Sequence, residues 1–172
     1  MRQHMKLSNV AAGFVNGAIV ASMVALGIAG AKEAQAEHRL ATVTAKDRYC
    51  LQQNIYFEAR NQSTIGQVAV AWVTINRMET ERYPNTICEV VWQNKQFSWT
   101  HDGKSDLPGK TVLEQRAWED AGLVAEVVLI DWARDRSSPV DVATMYHADY
   151  VSPYWASSYD PVVKIDNHIF YK

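Results

Sequence analysis

The chain has little positive charge to spare: 17 basic residues stand against 19 acidic ones in 172 residues. Residues 1–36 hold three of the basic residues and one of the acidic ones, so the remainder carries 14 against 18. A nucleic-acid binder needs a basic surface, and this balance argues against that class. Cysteine is scarce, with only Cys50 and Cys88, far apart in the sequence. Two isolated thiols make a poor zinc site. His101, His147, Asp149 and His168 carry metal-ligating atoms, but their spacings match no compact zinc motif. No internal repeat or low-complexity tract is present, so the chain reads as one domain with a sizeable core.

Long apolar runs are also missing, except at the amino terminus. Val10 to Ala31 is uncharged and mostly apolar, Arg2 and Lys6 precede it, and Ala34-Gln35-Ala36 is a small-x-small site. That is the layout of an export signal. Two readings follow. Cleavage after Ala36 releases a periplasmic or secreted protein, or residues 1–36 stay on as a membrane anchor, since the run is near the length that spans a bilayer. Residues 37–46 then form a linker and residues 47–172 the domain. Export permits a Cys50–Cys88 disulfide, which by loop-entropy reasoning contributes roughly 3–4 kcal/mol; the alternative is two buried free thiols.

The stretch from Cys50 to Met78 organises the rest. It reads as two helices meeting at a polar corner, Asn61 to Ser63. Asp47 is expected to cap the first helix, which runs to about Arg60. Leu51, Ile55 and Glu58 fall at i, i+4 and i+7 and share one face. A glutamate on an otherwise apolar face is poorly hydrated, its pKa rises, and it can serve as a general acid near neutral pH. The alternative is a structural acid paired with an arginine such as Arg77. The second helix starts at Thr64, with Gln67 completing a capping box, and ends near Met78. Val68, Trp72 and Ile75 make one stripe beside Ala69, Val73 and Asn76, so this helix should be central.

Downstream, Thr86 and Glu89 form another capping box and open a short helix. Gln96 to Thr100 alternates and reads as a strand or an extended wall. Residues 101–110 are a loop by their Gly, Pro and Asp content. Thr111 and Glu114 open a long helix reaching about Ala133, with Leu113, Ala117, Ala121, Val124, Val128 and Trp132 on its core face and Gly122 as a possible break. From Val142 the texture turns to β-forming and aromatic residues, with short strands around Asp166-Asn167. Helices first and a small sheet late predict an α+β domain. Six tryptophans and eight tyrosines are many for this length. They serve the core, or some of Trp92, Trp99 and Trp155 present flat faces to sugar rings.

Four blocks also carry a resemblance: NIYFEARNQSTIGQVAVAWVTINR, YPNTICEVVWQNKQFSW, MYHADYVSPYW and NHIFYK. Together they resemble the SleB-type cell wall hydrolases, the spore cortex-lytic and phage-lysin relatives of lytic transglycosylases, over residues 47–172. The resemblance implies a lysozyme-like helical domain with a small antiparallel sheet. It implies cleavage of peptidoglycan glycan strands between N-acetylmuramic acid and N-acetylglucosamine, without metal or cofactor. The acid of the family's E-A/S-R triplet falls on Glu58. Gln62 stands where the family often has a second acid, which leaves Asp102, Asp106 and Asp149 as candidates for that role. Tyr146 and His147 lie in a block resembling the cleft-lining strand. Phe97, Ser98 and Trp99 match the family's QFS block, and with Trp155 they are candidate groove residues; satisfied buried side chains are the plainer alternative. Gln67 and Asn76 are expected to hold loop backbone around Glu58. The chain is expected to be a monomer that touches a membrane only through its amino-terminal segment. A metal-dependent amidase and a non-catalytic wall-binding module are the competing classes.

Overall fold

The structure is a computed structural model that describes the backbone from Gly13 and the side chains from Gly27 through to Lys172. The positive start of the export signal, residues 1–12, lies outside the described residues. Helix α1 spans Gly13–Thr42 and passes through Ala34-Gln35-Ala36 without interruption. Ala36 is only 3% exposed, and Leu40 and Val43 pack on the same core. These three residues follow helical spacing, which explains why residues 37–42 are helix rather than linker. Arg39 fixes the end of α1: its guanidinium lies 4.3 Å over the Trp132 ring and pairs with Asp135 and Glu79. Among the described residues no helix is long and apolar enough to cross a membrane.

Helix α2, Ala45–Ala59, starts from Thr44 rather than Asp47. Thr44 and Asp47 form a capping box, in which the Asp47 Oδ2 accepts from the Thr44 N–H and hydroxyl. The other Asp47 oxygen accepts from the Cys88 N–H at 2.9 Å, at the start of the five-residue helix α4, Ile87–Val91. One buried carboxylate therefore serves two helix beginnings. A disulfide joins Cys50 to Cys88 with 5.2 Å between the Cα atoms, and fastens α4 to α2 a second time.

Helix α3, Thr64–Met78, is capped by Ser63, whose Oγ accepts from the Gly66 N–H. The expected Thr64–Gln67 box does not form: Ser63 is the cap, and the residue three positions on, Gly66, has no side chain to return the bond. From Gly66 to Ile75 every residue but Val68 is buried, so α3 is the central element. Helix α5, Val112–Ala133, opens with the Thr111–Glu114 capping box and runs unbroken through Gly122. A Cβ at position 122 would stand 2.9 Å from Gln52 Nε2, which donates to the Trp118 carbonyl, so the glycine leaves room for that side chain instead of breaking the helix. Leu113 is 75% exposed, and the core face of α5 begins only with Ala117 and Trp118.

Residues 96–100 form no strand. Ser98–His101 is a single 3-10 turn. The period of two is real in burial but comes from aromatics gripped by helix α2: Trp99 stacks on Phe57 at 4.7 Å and donates to Asn54. The carboxy-terminal strands, β1 (Met145–Ala148), β2 (Pro161–Ile165) and β3 (His168–Tyr171), make an antiparallel sheet in the order β1-β3-β2. Asp166 turns the β2–β3 corner at φ 48°, a conformation aspartate tolerates. Its Oδ2 accepts from the N–H and hydroxyl of Ser63, which ties the sheet to the corner between α2 and α3.

Replacing Asp47 with alanine removes the acceptors for both helix starts and leaves the buried Cys88 N–H unpaired. A loss of about 2–4 kcal/mol is expected from a urea midpoint at unchanged slope, with a smaller loss for Asp47→Asn.

Candidate active site

Glu58 lies in the last turn of α2, above the fully buried Leu51 and Ile55, and is itself half-buried. Its Oε2 accepts a 2.8 Å hydrogen bond from the Tyr146 hydroxyl on β1. Burial pushes the Glu58 carboxyl above the ordinary carboxylate range, while the Tyr146 bond and the Arg77 guanidinium pull it part of the way back. Burial and the facing carboxylate raise the Tyr146 phenol well above its usual value, so it stays protonated and donates.

Arg77 does not clamp Glu58. Among the described residues Glu58 forms no ion pair within 4.0 Å. The Arg77 Nε donates to the Thr144 carbonyl at 2.7 Å, and its guanidinium lies 5.0 Å from the Phe97 ring. Arg77 thus acts on Glu58 through its field while it holds the chain just before β1. Asn76 braces the same segment, donating to the carbonyls of Asp141 and Ala143 at 2.9 Å each. Gln67 donates to the Gln62 carbonyl and steadies the corner beside Glu58.

The Glu58–Tyr146 pair touches two clefts, one through each partner. One of about 370 Å³ is lined by Glu58, Phe57, Arg60, Gln62, Ala148 and His168, among others. The other, about 620 Å³, is lined by Tyr146, Arg77, Tyr83, Tyr154 and Trp155, among others. Of the expected groove residues, Tyr146 and Trp155 therefore line a cleft. His147 does not. Neighbouring strand residues point to opposite faces, and His147 lies on the far side of β1 from Tyr146, stacked on Tyr171. Its Nδ1 donates to the Ala148 carbonyl, which leaves Nε2 to accept from the Tyr171 hydroxyl, both at 2.8 Å. Phe97 and Trp99 are buried in the core, and Ser98 is exposed; none of the three lines either cleft.

Among the described residues no second carboxylate joins Glu58. Asp102 pairs with Lys104 and Asp149 with Lys164, while Asp106 sits in the loop where its carbonyl accepts from Gln53. Among the described residues Glu58 is the one carboxylate lining either cleft. His101, His147, Asp149 and His168 do not converge, and no group of three potential metal ligands occurs among the described residues.

His168, not His147, lines the smaller cleft. It is 8% exposed and meets the Tyr146 ring edge-on at 5.2 Å. Its Nδ1 has no partner among the described residues, and burial lowers its pKa against the opposing pull of Asp166 and Asp149. The signal for it was the spacing of two from the buried Phe170, which pairs with Tyr146 across the sheet.

Helices enclosing a buried central one, with a small antiparallel sheet closing over a helix-borne carboxyl, form a lysozyme-like domain. The chain belongs to the family described as Cell Wall Hydrolase, which it matches over residues 61–171, starting just beyond Glu58. It is 27% identical over 119 residues to a spore cortex-lytic enzyme of Bacillus cereus, covering 69% of this chain and 41% of that protein. It is 29% identical over 126 residues to that of Halalkalibacterium halodurans, covering 72% and 34% respectively. The chain thus spans about two-fifths or less of the length of these relatives. Among solved structures, the catalytic domain of the germination-specific lytic transglycosylase SleB from Bacillus anthracis superposes with a TM-score of 0.57 at 26% identity, covering 76% of this chain and 98% of that one. The Bacillus cereus SleB catalytic domain gives 0.55 at 27% identity, covering 76% and 92%.

A raised native pKa means that the folded state disfavours ionised Glu58, so stability is lost as pH climbs from the ordinary carboxylate value to the native one. Glu58→Gln keeps an acceptor for Tyr146 and removes that loss. Its melting temperature should equal wild type in acid, exceed it increasingly through this window, and then level off.

Proposed function

We propose that this protein cleaves peptidoglycan glycan strands between N-acetylmuramic acid and N-acetylglucosamine as a lytic transglycosylase, with Glu58 as the acid and then the base. The observation that carries the reading is the solitary carboxyl, poorly hydrated, that lines one open cleft and bonds to a tyrosine lining the other. Breaking a glycosidic bond requires a proton on the departing oxygen. Most glycosidases add a second carboxylate as nucleophile or base. With one carboxyl, the muramyl 6-hydroxyl attacks the anomeric carbon of its own ring. Glu58 gives its proton to the leaving oxygen and regains one from that hydroxyl, so the products are a 1,6-anhydro end and a free hydroxyl, and no water is consumed. Tyr146 occupies one Glu58 oxygen and leaves the other for the substrate. The Arg77 charge steadies the carboxylate in the moment after it has lost its proton.

The family and the two catalytic-domain likenesses support this chemistry. The apolar amino-terminal run and the disulfide support delivery to the periplasm or cell envelope, with membrane contact through the amino-terminal segment alone if that segment stays uncleaved. The reaction asks for no metal or cofactor, and a monomer suffices.

Mass spectrometry of digested, purified peptidoglycan separates the classes. Anhydromuramyl ends are expected; reducing muramyl ends would mean hydrolysis, free peptides an amidase, and an unchanged digest a binding module. Glu58→Gln should lower release by about 10²–10⁴-fold. Tyr146→Phe removes a bond that holds the Glu58 pKa down, so the alkaline limb of its rate profile should move to higher pH. A limb that stays put would remove Tyr146 from control of the acid.

A further inference from the structure

The larger cleft has a charge character opposite to that of the chain. Arg77, Arg82 and Lys95 line it, and no aspartate or glutamate does, in a protein of net charge −2. Arg82 and Lys95 are exposed and belong to no ion pair among the described residues. Arg82 is oriented by donating to the Tyr83 hydroxyl at 2.8 Å. Two of the four buried side-chain polar atoms that lack a partner among the described residues, Arg77 Nη1 and Gln93 Oε1, belong to residues lining this cleft. Buried polar groups left unpaired are uncommon and destabilising, so two beside one cleft call for a partner. Tyr146 lines the same cleft and bonds to Glu58, so the cleft lies one side chain from the proposed acid.

Resting on the reading of peptidoglycan as substrate, we propose that this cleft binds the anionic peptide stem of a muramyl residue, with Arg82 and Lys95 receiving its carboxylates. The sugars of a stem-bearing strand are uncharged, and the ionised acids lie along the stems. Three cations without a carboxylate suit that part of the polymer and give nothing in particular to a bare sugar. The stem amides supply both donors and acceptors of the kind Gln93 and Arg77 lack. Because these contacts lie away from the bond being broken, they act on binding and on the choice among wall polymers.

The test measures binding in the Glu58→Gln background, where no cleavage intervenes. Three soluble probes are titrated: disaccharide-peptide fragments of peptidoglycan, the same fragments with their carboxyls converted to methylamides, and glycan stripped of stems so that only the lactyl carboxylate remains. Native fragments are expected to bind at least about tenfold tighter than either other probe, as charge-assisted contacts do, and to lose that advantage as salt rises. Adding Arg82→Gln and Lys95→Asn should abolish the difference while affinity for the methylamide stays within about twofold. Asparagine suits position 95, whose φ is 64°. Both sites are exposed, so the melting temperature should hold. Equal affinity for native and methylamide fragments, equal loss on both in the variant, or equally tight binding of the stripped glycan overturns the proposal. Cleavage is read separately on wild-type protein, so a failure of the proposed chemistry would leave the stem preference measurable.

Discussion

The 2.8 Å bond from Tyr146 to Glu58 joins the two halves of this domain at the place where chemistry is proposed. It links the last turn of a helix to a four-residue strand, and neither is rigid alone. Short edge strands rarely hold a side chain still without support from their flanks. Here the support comes from α3. Asn76 and Arg77, consecutive on that helix, bind the carbonyls of Asp141, Ala143 and Thr144 and so deliver β1 at a fixed height above α2. At the other end of the sheet, Asp166 grips Ser63 at the beginning of α3. The sheet is thus hung from both ends of a single buried helix. A polar side chain on such a helix must find partners inside the protein, and those partners are the backbone that carries Tyr146.

The same arrangement explains the electrostatics. Glu58 is close enough to Arg77 to feel it and too far to be neutralised by it, because the guanidinium is already committed to Thr144 and lies over the aromatic ring of Phe97. Burial dominates, and the carboxyl holds its proton beyond the ordinary range. Phe97, a candidate for the groove or the core, is buried and lies against the arginine that tempers the acid. Trp99 likewise braces Phe57 behind the smaller cleft.

What could be read from sequence was what depends on neighbours along the chain. The cap at Thr86, the full box at Thr111, the reach of α3 to Met78 and the short strands around Asp166 all follow from local spacing. The placing of Leu51, Ile55 and Glu58 on one face needed only helical periodicity. The failures required knowledge of partners. Whether His147 or His168 faces the acid is decided by the pairing of Tyr146 with Phe170, sequence-distant positions that no local pattern links. The alternation at Phe97 and Trp99 looked like a strand because burial on one side has the same period whether a sheet or a helix covers it. Gly122 looked like a break because its reason, the closeness of Gln52, lies seventy residues earlier. Ala36 read as the end of an export signal, and Leu40 and Val43 as linker, because the wall they pack against, around Trp132, belongs to the far end of α5.

The disulfide has a mechanical consequence for the groove. It staples α4, a helix too short to stand by itself, to α2, and the segments flanking α4 carry Tyr83 on one side and Gln93, Lys95 and Gln96 on the other. That bank of the larger cleft is covalently moored close to the start of the helix that ends in Glu58. The opposite bank, with Tyr146, Tyr154 and Trp155, hangs only from hydrogen bonds and packing. When the domain is warmed or pulled, the banks therefore yield unequally: the sheet parts first, like a hinged jaw, and the moored bank stays with the helix.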